Sequence, residues 1–498
     1  MDIKYAYTGL DTATSARLSA QRRLMTELVG QETTGLVAPT YAGISDRSLT
    51  LTYQQKIAEN DSRQSVIATI DTRLELVGSS LEGLSSLSSE VGGALGQNGF
   101  QLTSDGKTPE QATALNALEG YVSTLDNEIG GTYLFGGRAT DAPPVVDVST
   151  MLHGDGSRDG FETVAAQRLA ADRGADGMGR LGLTASGTTL TLASDGDHPF
   201  GMKVASTTST LTDVTIAGPS GSPPALTIDV GGQPNLGETL SVMLTLPDGS
   251  TETIALEAGT KTDGDAGTFA IGATAADTAV NLQAALRTAL GKVASTDLVA
   301  ASAVQAADDF FDTAGGATPM RVDGPPYESA TALRAATAAD TVIWYTGTND
   351  AASARLDAHA RVDEGQTVNY GTRANEVGIT SQIKALAVVA TLDLSAGGAT
   401  EKAIYASMVD RTQPSLQANS RIDGLQTIAA EIAGARKAAA MASDRLTTTS
   451  NIYQTAVDET MAVDTTELAV KLTTLSTQIE ASYKATSLLY KLTLTDFI

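Results

Sequence analysis

Between Val66 and Leu95 the apolar residues advance in alternating steps of three and four: Ile67, Ile70, Leu74, Val77, Leu81, Leu84, Leu87, Val91 and Leu95. This is a heptad seam, and it predicts a helix that sets one narrow stripe against a partner. The helix is expected to run from about Ser48 to Leu95, roughly 70 Å at 1.5 Å per residue. A second run, Leu115, Leu118, Val122, Leu125 and Ile129, repeats the step. Between the two, Asn98-Gly99 and Asp105-Gly106 mark a turn, and Thr108-Pro109-Glu110 starts the next helix. Two long helices folding back on each other are expected, with the seam residues as their shared core.

The C-terminal end has a similar pattern. Ile404, Met408, Ile422, Leu425, Ile428 and Ile432 lie on one long helical segment from Ala399 onward. Met461, Leu468, Leu472, Leu475, Ile479, Leu488 and Leu492 then form the stripe of a final helix. No Gly or Pro occurs from Ala435 to Ile498, so nothing local breaks that stretch. A terminal helix has little of its own chain to bury against, which points its stripe toward another subunit.

The middle of the chain changes character. Thr188 to Leu192 and Leu240 to Leu246 alternate as strands, and Pro247-Asp248-Gly249-Ser250 turns the second into Thr251 to Leu256 as a hairpin. An amphipathic helix with Leu282, Leu286 and Leu290 follows at about Ala275 to Gly291, and a strand is expected at Thr341 to Thr346 around the single tryptophan, Trp344. The expected organisation is an N-terminal helical assembly region, 1–140, an inserted β-rich α+β surface domain, 141–374, of one or two subdomains, and a C-terminal helical assembly region, 375–498. The fold class is a mainly α rod of long terminal helices packed as a coiled coil or bundle.

Charge sharpens this division. The chain of 498 residues carries a net charge of -25, and residues 141–374, with 13 basic against 29 acidic residues, hold -16 of it. An acidic balance argues against nucleic acid and anionic membrane as partners. No apolar stretch approaches the ~20 residues that span a bilayer, and no basic segment followed by an apolar one marks a secretory signal peptide. That combination fits a cytoplasmic protein or one exported without a cleaved signal.

Candidate chemistry is sparse. There is no cysteine, histidine is limited to His153, His198 and His359, and aromatics make up 4%. Disulfides, thiolate metal sites and a cysteine nucleophile are therefore excluded. Asp155-Gly156-Ser157-Arg158-Asp159-Gly160 begins like a calcium loop, but the twelfth position, which needs a bidentate Glu, is Ala166. It reads as an acidic surface turn. Asp195, Asp197 and His198 lack a second histidine nearby and read as a solvated turn before Pro199. No hydrolase, metalloprotease, phosphate-loop or dinucleotide motif occurs in the required context. No enzyme activity, cofactor or metal is expected.

Two local segments carry a resemblance. Gly130-Gly131-Thr132-Tyr133-Leu134-Phe135-Gly136-Gly137-Arg138, followed by Thr140-Asp141-Ala142-Pro143-Pro144, closes the second helix; Asp363 to Gly371 with Ala374-Asn375-Glu376 leads into the C-terminal helices. With the tail from Gln478 to Ala485, these make the chain resemble the flagellin superfamily, and within it the hook-filament junction type (hook-associated protein 3). Tyr133, Leu134, Phe135, Gly136 and Gly137 match that type's motif. Where flagellins carry a basic stretch and an Asp-Asp pair, this chain has Thr33-Thr34-Gly35-Leu36-Val37-Ala38-Pro39-Thr40. The resemblance covers the two ends, roughly half of the chain.

The resemblance implies a structural adaptor of the bacterial flagellum that joins hook to filament by helical, head-to-tail packing. Filament flagellin is the alternative, and a secreted glycan-binding or hydrolytic protein acting through the middle domain is a third possibility from another class. The implied partners are the chain itself in a ring or helical homo-oligomer, a neighbouring hook-associated protein, flagellin and an export chaperone. Its place would be extracellular, reached by type III export, with the terminal stripes ordering on assembly. Ile3, Tyr5, Tyr7 and Leu10, with Leu468, Leu472, Leu475, Ile479, Tyr483, Leu488 and Leu492, are the expected assembly interface.

Overall fold

The computed structural model describes residues 3–40, 46–97, 99–417 and 424–495, with side chains from 12 to 488 within those ranges. More than half of the chain is helical, with several small sheets. It divides into two compact units. The first comprises Met1–Thr69, Arg361–Gln366 and Ala438–Ile498, and the second Ile70–Ala360 and Thr367–Lys437.

In order, the first elements are α1 (Ile3–Thr34), α2 (Arg47–Gln97), α3 (Pro109–Leu125), β1 (Glu128–Ile129), β2 (Thr132–Tyr133), α4 (Val148–His153) and α5 (Phe161–Arg173). The strands β3 (Leu181–Ser186), β4 (Thr189–Ser194), β5 (Lys203–Ser209), β6 (Val214–Ser220), β7 (Ala225–Val230), β8 (Thr239–Thr245), β9 (Thr251–Gly259) and β10 (Thr268–Ala270) follow. Then come α6 (Ala275–Ser295), α7 (Asp297–Phe311), β11 (Met320–Val322), β12 (Leu333–Ala335), β13 (His359–Asp363) and β14 (Gln366–Asn369). The chain ends with α8 (Val377–Thr391), α9 (Ala399–Leu416), α10 (Leu425–Met461) and α11 (Thr465–Thr495).

In the first unit α1 packs along α11, and the start of α2 along the end of α10. Tyr53 and Tyr453 stack with centroids 5.5 Å apart, and Asn60 donates to Ser450 at 3.1 Å. Asp363, at the hairpin tip, meets Arg63 at 3.6 Å and pairs with Arg445.

In the second unit the heptad seam is buried. Ile70, Leu74, Val77, Leu81, Leu84, Val91 and Leu95 are each at most 3% exposed, while Ile67 is buried in the first unit. Ser88 replaces Leu87 as the inward residue and donates to Gln382 of α8 at 2.7 Å. Thr108 caps α3 in a reciprocal pair with Gln111, as its sequence suggested. Leu118, Val122 and Leu125 are buried, but Leu115 is only half-buried, with Ala114 and Ala117 facing inward beside it.

Several expectations need correction. α3 is short, 17 residues, and Ile129 is not part of its core. Gly130 and Gly131 both hold positive φ, 58° and 76°, and this hairpin turn draws Glu128–Ile129 into pairing with Thr132–Tyr133. Thr341 to Thr346 forms isolated bridges, not a strand. Its neighbour includes Pro143 and Pro144, which have no N–H to extend a ladder. The long segment expected from Ala399 through Ile432 is two helices, α9 with Pro414 in its last turn and α10. Met461 ends α10 and does not open the final helix, because the helix is interrupted at Ala462 to Asp464. Asn98, Ile422 and the side chains of Ile3, Tyr5, Tyr7, Leu10 and Leu492 lie outside the described residues.

The 141–374 segment mixes classes. Two four-stranded sheets, β3-β4-β7-β6 and β10-β9-β8-β5, share one core with α6. Pairing is antiparallel except between β9 and β10. The Thr245–Thr251 register confirms the hairpin read from Pro247-Asp248-Gly249-Ser250. Helices α4, α5 and α7 were not anticipated. Half of the buried residues of α7 are alanine, which marks an inward face less plainly than leucine does.

Candidate assembly site

Two regions hold the residues singled out from sequence, and each is described within its own unit. In the second unit, the Tyr133–Gly137 motif and the Gly371–Glu376 segment, more than 230 residues apart in sequence, lie side by side. Phe135 is fully buried, and its carbonyl accepts from Ala374 N–H at 2.8 Å. Gly137 N–H donates to the Thr372 carbonyl at 3.0 Å, and the Thr372 hydroxyl donates to the Leu134 carbonyl at 2.6 Å. Thr348 N–H adds a third strand of contact at the Gly136 carbonyl, 3.0 Å. Tyr133, half-buried on β2, accepts at its carbonyl from Arg73 at 3.4 Å.

The glycines of the motif are required by space. A Cβ on Gly136 would collide with the Ala139 carbonyl, and one on Gly137, at φ 66°, would lie 2.5 Å from Asp357 Oδ2. Two arginines and two aspartates close the junction. Arg373 meets Asp357 at 2.5 Å and Asp350 at 2.8 Å, while Arg138 meets Asp357 at 2.7 Å and also pairs with Asp350. The Asp357 side chain has no exposure and that of Arg373 has 4%. Arg355 joins Glu376 at 2.5 Å and Glu431 of α10 at 2.7 Å.

The electrostatics follow from these contacts. Hydrogen bonds from Arg138 and then Arg373 hold Asp350 down at about 2. The hydrogen bond to Asp357 raises Arg373 above the usual arginine range. Burial pushes Glu376 up, against the opposing pull of Arg355. Each charge here is matched, and the network ties backbones together; it presents no activated nucleophile or base. Sequence reading quoted Arg138 and Glu376 but missed Arg355, Arg373, Asp350, Asp357 and Glu431. Those residues sit in irregular segments or on a polar helix face, and no spacing rule connects them.

In the first unit, Leu468 and Leu475 of α11 are 4% exposed and form a cluster with Leu28 of α1, flanked by Met25, Val463, Leu472 and Ile479. Within one chain, then, the inner side of the terminal stripe is covered by α1. Arg22 donates to the Tyr483 hydroxyl at 3.1 Å, and its guanidinium lies 5.8 Å from the ring centroid. Tyr483 remains 43% exposed and Leu488 61%. Beside the cluster lies an open groove of about 500 Å³, walled by Leu24, Leu28, Val470 and Leu475 with Glu27 and Lys471.

The two metal-like segments close on themselves. Asp155 accepts from Ser157 and Arg158 backbone N–H groups and pairs with Arg158, whose hydrogen bond is the main cause holding it well below the carboxylate range. Asp195 meets both Arg180 and His198 at 2.6 Å, and those bonds outweigh burial and lower it. Buried Arg168 and Asp172 fasten the same loop, through the Pro199 carbonyl and Gly201 N–H, to α5. Among the described residues no group of three or more His, Asp or Glu is placed to hold a metal ion, and no helix is long and apolar enough to cross a membrane. A cavity of about 390 Å³ beside α7, α8 and α9 contains two cations, both already paired, Lys384 with Asp308 and Arg411 with Asp248, each at 2.9 Å. Compared with known proteins, the chain matches no family model and has no significant match among curated proteins.

Proposed function

We propose that this chain is a structural adaptor of the bacterial flagellum, joining hook to filament by helical, head-to-tail packing of its terminal helices. The single observation that carries the reading is where apolar surface remains exposed. Among the described residues fifteen large hydrophobic side chains are exposed, and ten belong to the first unit, which holds little more than a quarter of the chain. They include Leu24, Val29, Leu49, Ile452, Val470 and Leu488, at 42–62%. Apolar surface concentrated in this way marks a protein-binding region. Heterologous contacts that repeat without closing generate a helical lattice.

On this reading the terminal helices form a coiled-coil rod in the assembled state. The acidic 141–374 segment faces solvent and keeps the polymer dispersed. Export through the flagellar type III route, an export chaperone, an extracellular location, and hook-associated and flagellin neighbours belong to the same proposal. The motif junction at Phe135 and Arg373 has a fastening role, and no catalytic step is assigned.

Deleting Leu475 to Ile498 is the test. The second unit should stay folded while incorporation at the hook tip is lost. Motile cells with normal filaments after the deletion would sink the idea. A labelled copy distributed along the whole filament, or purified chain that seeds long filaments, would replace the adaptor with a filament flagellin.

A further inference from the structure

Both chains of the first unit's helical pair are interrupted at the same level. α1 ends at Thr34 and Gly35 takes φ 69°; α10 ends at Met461 and α11 starts at Thr465, with Asp464 accepting from Thr466 N–H at 2.8 Å and Glu467 N–H at 3.1 Å. The interruptions are paired. Leu36 and Ala462 form an antiparallel bridge, in which Val37 N–H donates to the Met461 carbonyl at 2.8 Å and Val463 N–H to the Gly35 carbonyl at 3.0 Å. Gln31 Nε2 adds a bond to the Val37 carbonyl at 2.7 Å.

The hydrophobic core is interrupted at the same place. On one side lies the Leu28, Leu468 and Leu475 cluster; on the other lie Thr50, Val457 and the Tyr53–Tyr453 stack. Among the described residues none is buried between Leu28 and Thr50, or between Val457 and Leu468. Bending there strains a few half-exposed backbone hydrogen bonds, whereas bending elsewhere would open packed side chains. The bridge couples the two breaks, so one chain cannot turn without the other.

We propose that Gly35–Val37 and Met461–Val463 form a two-stranded hinge about which the α1–α11 pair turns as one body relative to the α2–α10 pair. Such a hinge absorbs dihedral change at a few element-terminal residues. Resting on the adaptor reading, it gives one subunit two ways to present its terminal pair, one for each kind of neighbour.

The absence of cysteine makes the test clean. Spin labels on exposed Arg23→Cys and Thr448→Cys span the hinge, and labels on Arg23→Cys and Thr473→Cys lie within the α1–α11 pair. In dilute full-length chain, mixed with an excess of unlabelled protein, the distance distribution across the hinge should be at least twofold wider than that within the pair. Two equally narrow distributions would overturn the hinge. Two equally broad ones would overturn the claim that α1 and α11 turn together. Separately, Leu36→Cys/Ala462→Cys should cross-link on mild oxidation, because directly opposed residues of this bridge type stand about 4.5 Å apart at Cα. Failure to cross-link would overturn the paired breaks. These readouts do not involve assembly, so their failure leaves hook-tip incorporation standing, and loss of incorporation leaves the hinge standing.

Discussion

Arg373 and Asp357 show how much a single position can hold in this chain. Both side chains are almost fully withdrawn from water, and each is satisfied chiefly by the other and by its neighbours Arg138 and Asp350. Asp357→Ala leaves the Arg373 guanidinium buried without its main partner, which costs about 3–5 kcal/mol. Thermal unfolding followed at Trp344, buried in the same unit with its Nε1 donating to the Phe311 carbonyl at 2.9 Å, reads that loss directly. Asp126 makes the opposite case. Burial pushes its carboxyl up to about 6, one N–H from Val145 opposes the rise, and its Oδ1 has no partner. A pKa raised on folding favours the folded state while the group is protonated, and that benefit disappears as pH rises through about 6. Asp126→Asn, always neutral, should therefore be more stable than the parent chain at pH 7.5 and no more stable at pH 4. After discounting for partial exposure the gain is about 1–2 kcal/mol, read as a pH-dependent difference in melting temperature.

Helices and strands differed in how much of themselves their sequences disclosed. The α2 seam was legible because large side chains recur at heptad spacing, and burial follows that spacing at every seam position but one, where Ser88 turns inward in place of Leu87. Leu84, with no exposure, should cost about 2–5 kcal/mol when cut to Ala, whereas half-buried Leu115 should cost about 1 kcal/mol. Urea unfolding of the two variants separates them, and equal losses would mean that α3 packs differently. The β8–β9 hairpin was legible for a similar reason, since alternation and a Pro-Asp-Gly-Ser turn are local signals. Helices α5 and α7 were not legible: α5 turns Arg168 and Asp172 inward as a buried pair, which no apolar period reveals, and small residues fill much of the inward face of α7. The break at Ala462 was scarcely legible either. No Gly or Pro marks it; the one local sign is Asp464, which caps the helix that follows, while the bridge to Leu36 joins residues more than 400 positions apart in sequence.

For the molecule as a whole, charge and apolar surface are partitioned. Residues 141–374 hold most of the net negative charge, whereas exposed large apolar side chains concentrate in the unit built from the two ends. Self-association through such ends works against repulsion between acidic bodies, which salt screens over about 10 Å at 0.1 M. Raising ionic strength from about 20 to 500 mM should therefore promote oligomers, seen by sedimentation or light scattering. Oligomers that dissolve with salt would show that ion pairs, not apolar packing, hold the copies together. The candidate junction was half legible in the same sense. Its motif glycines and Phe135 could be quoted from sequence, but the carboxylates that lock it come from loops that only the folded chain brings within reach.

Sequence alone determined the elements whose signals are local: the heptad seam, the capped start of α3, the alternating strands and their turn, and the absence of cysteine chemistry. The tertiary structure decided what depends on distant partners. It placed α1 over the inner stripe of α11, ended α3 early, split the C-terminal helices and joined Phe135 to Ala374. Periodicity records which side of an element is apolar, but the surface that meets that side depends on how the chain returns through space.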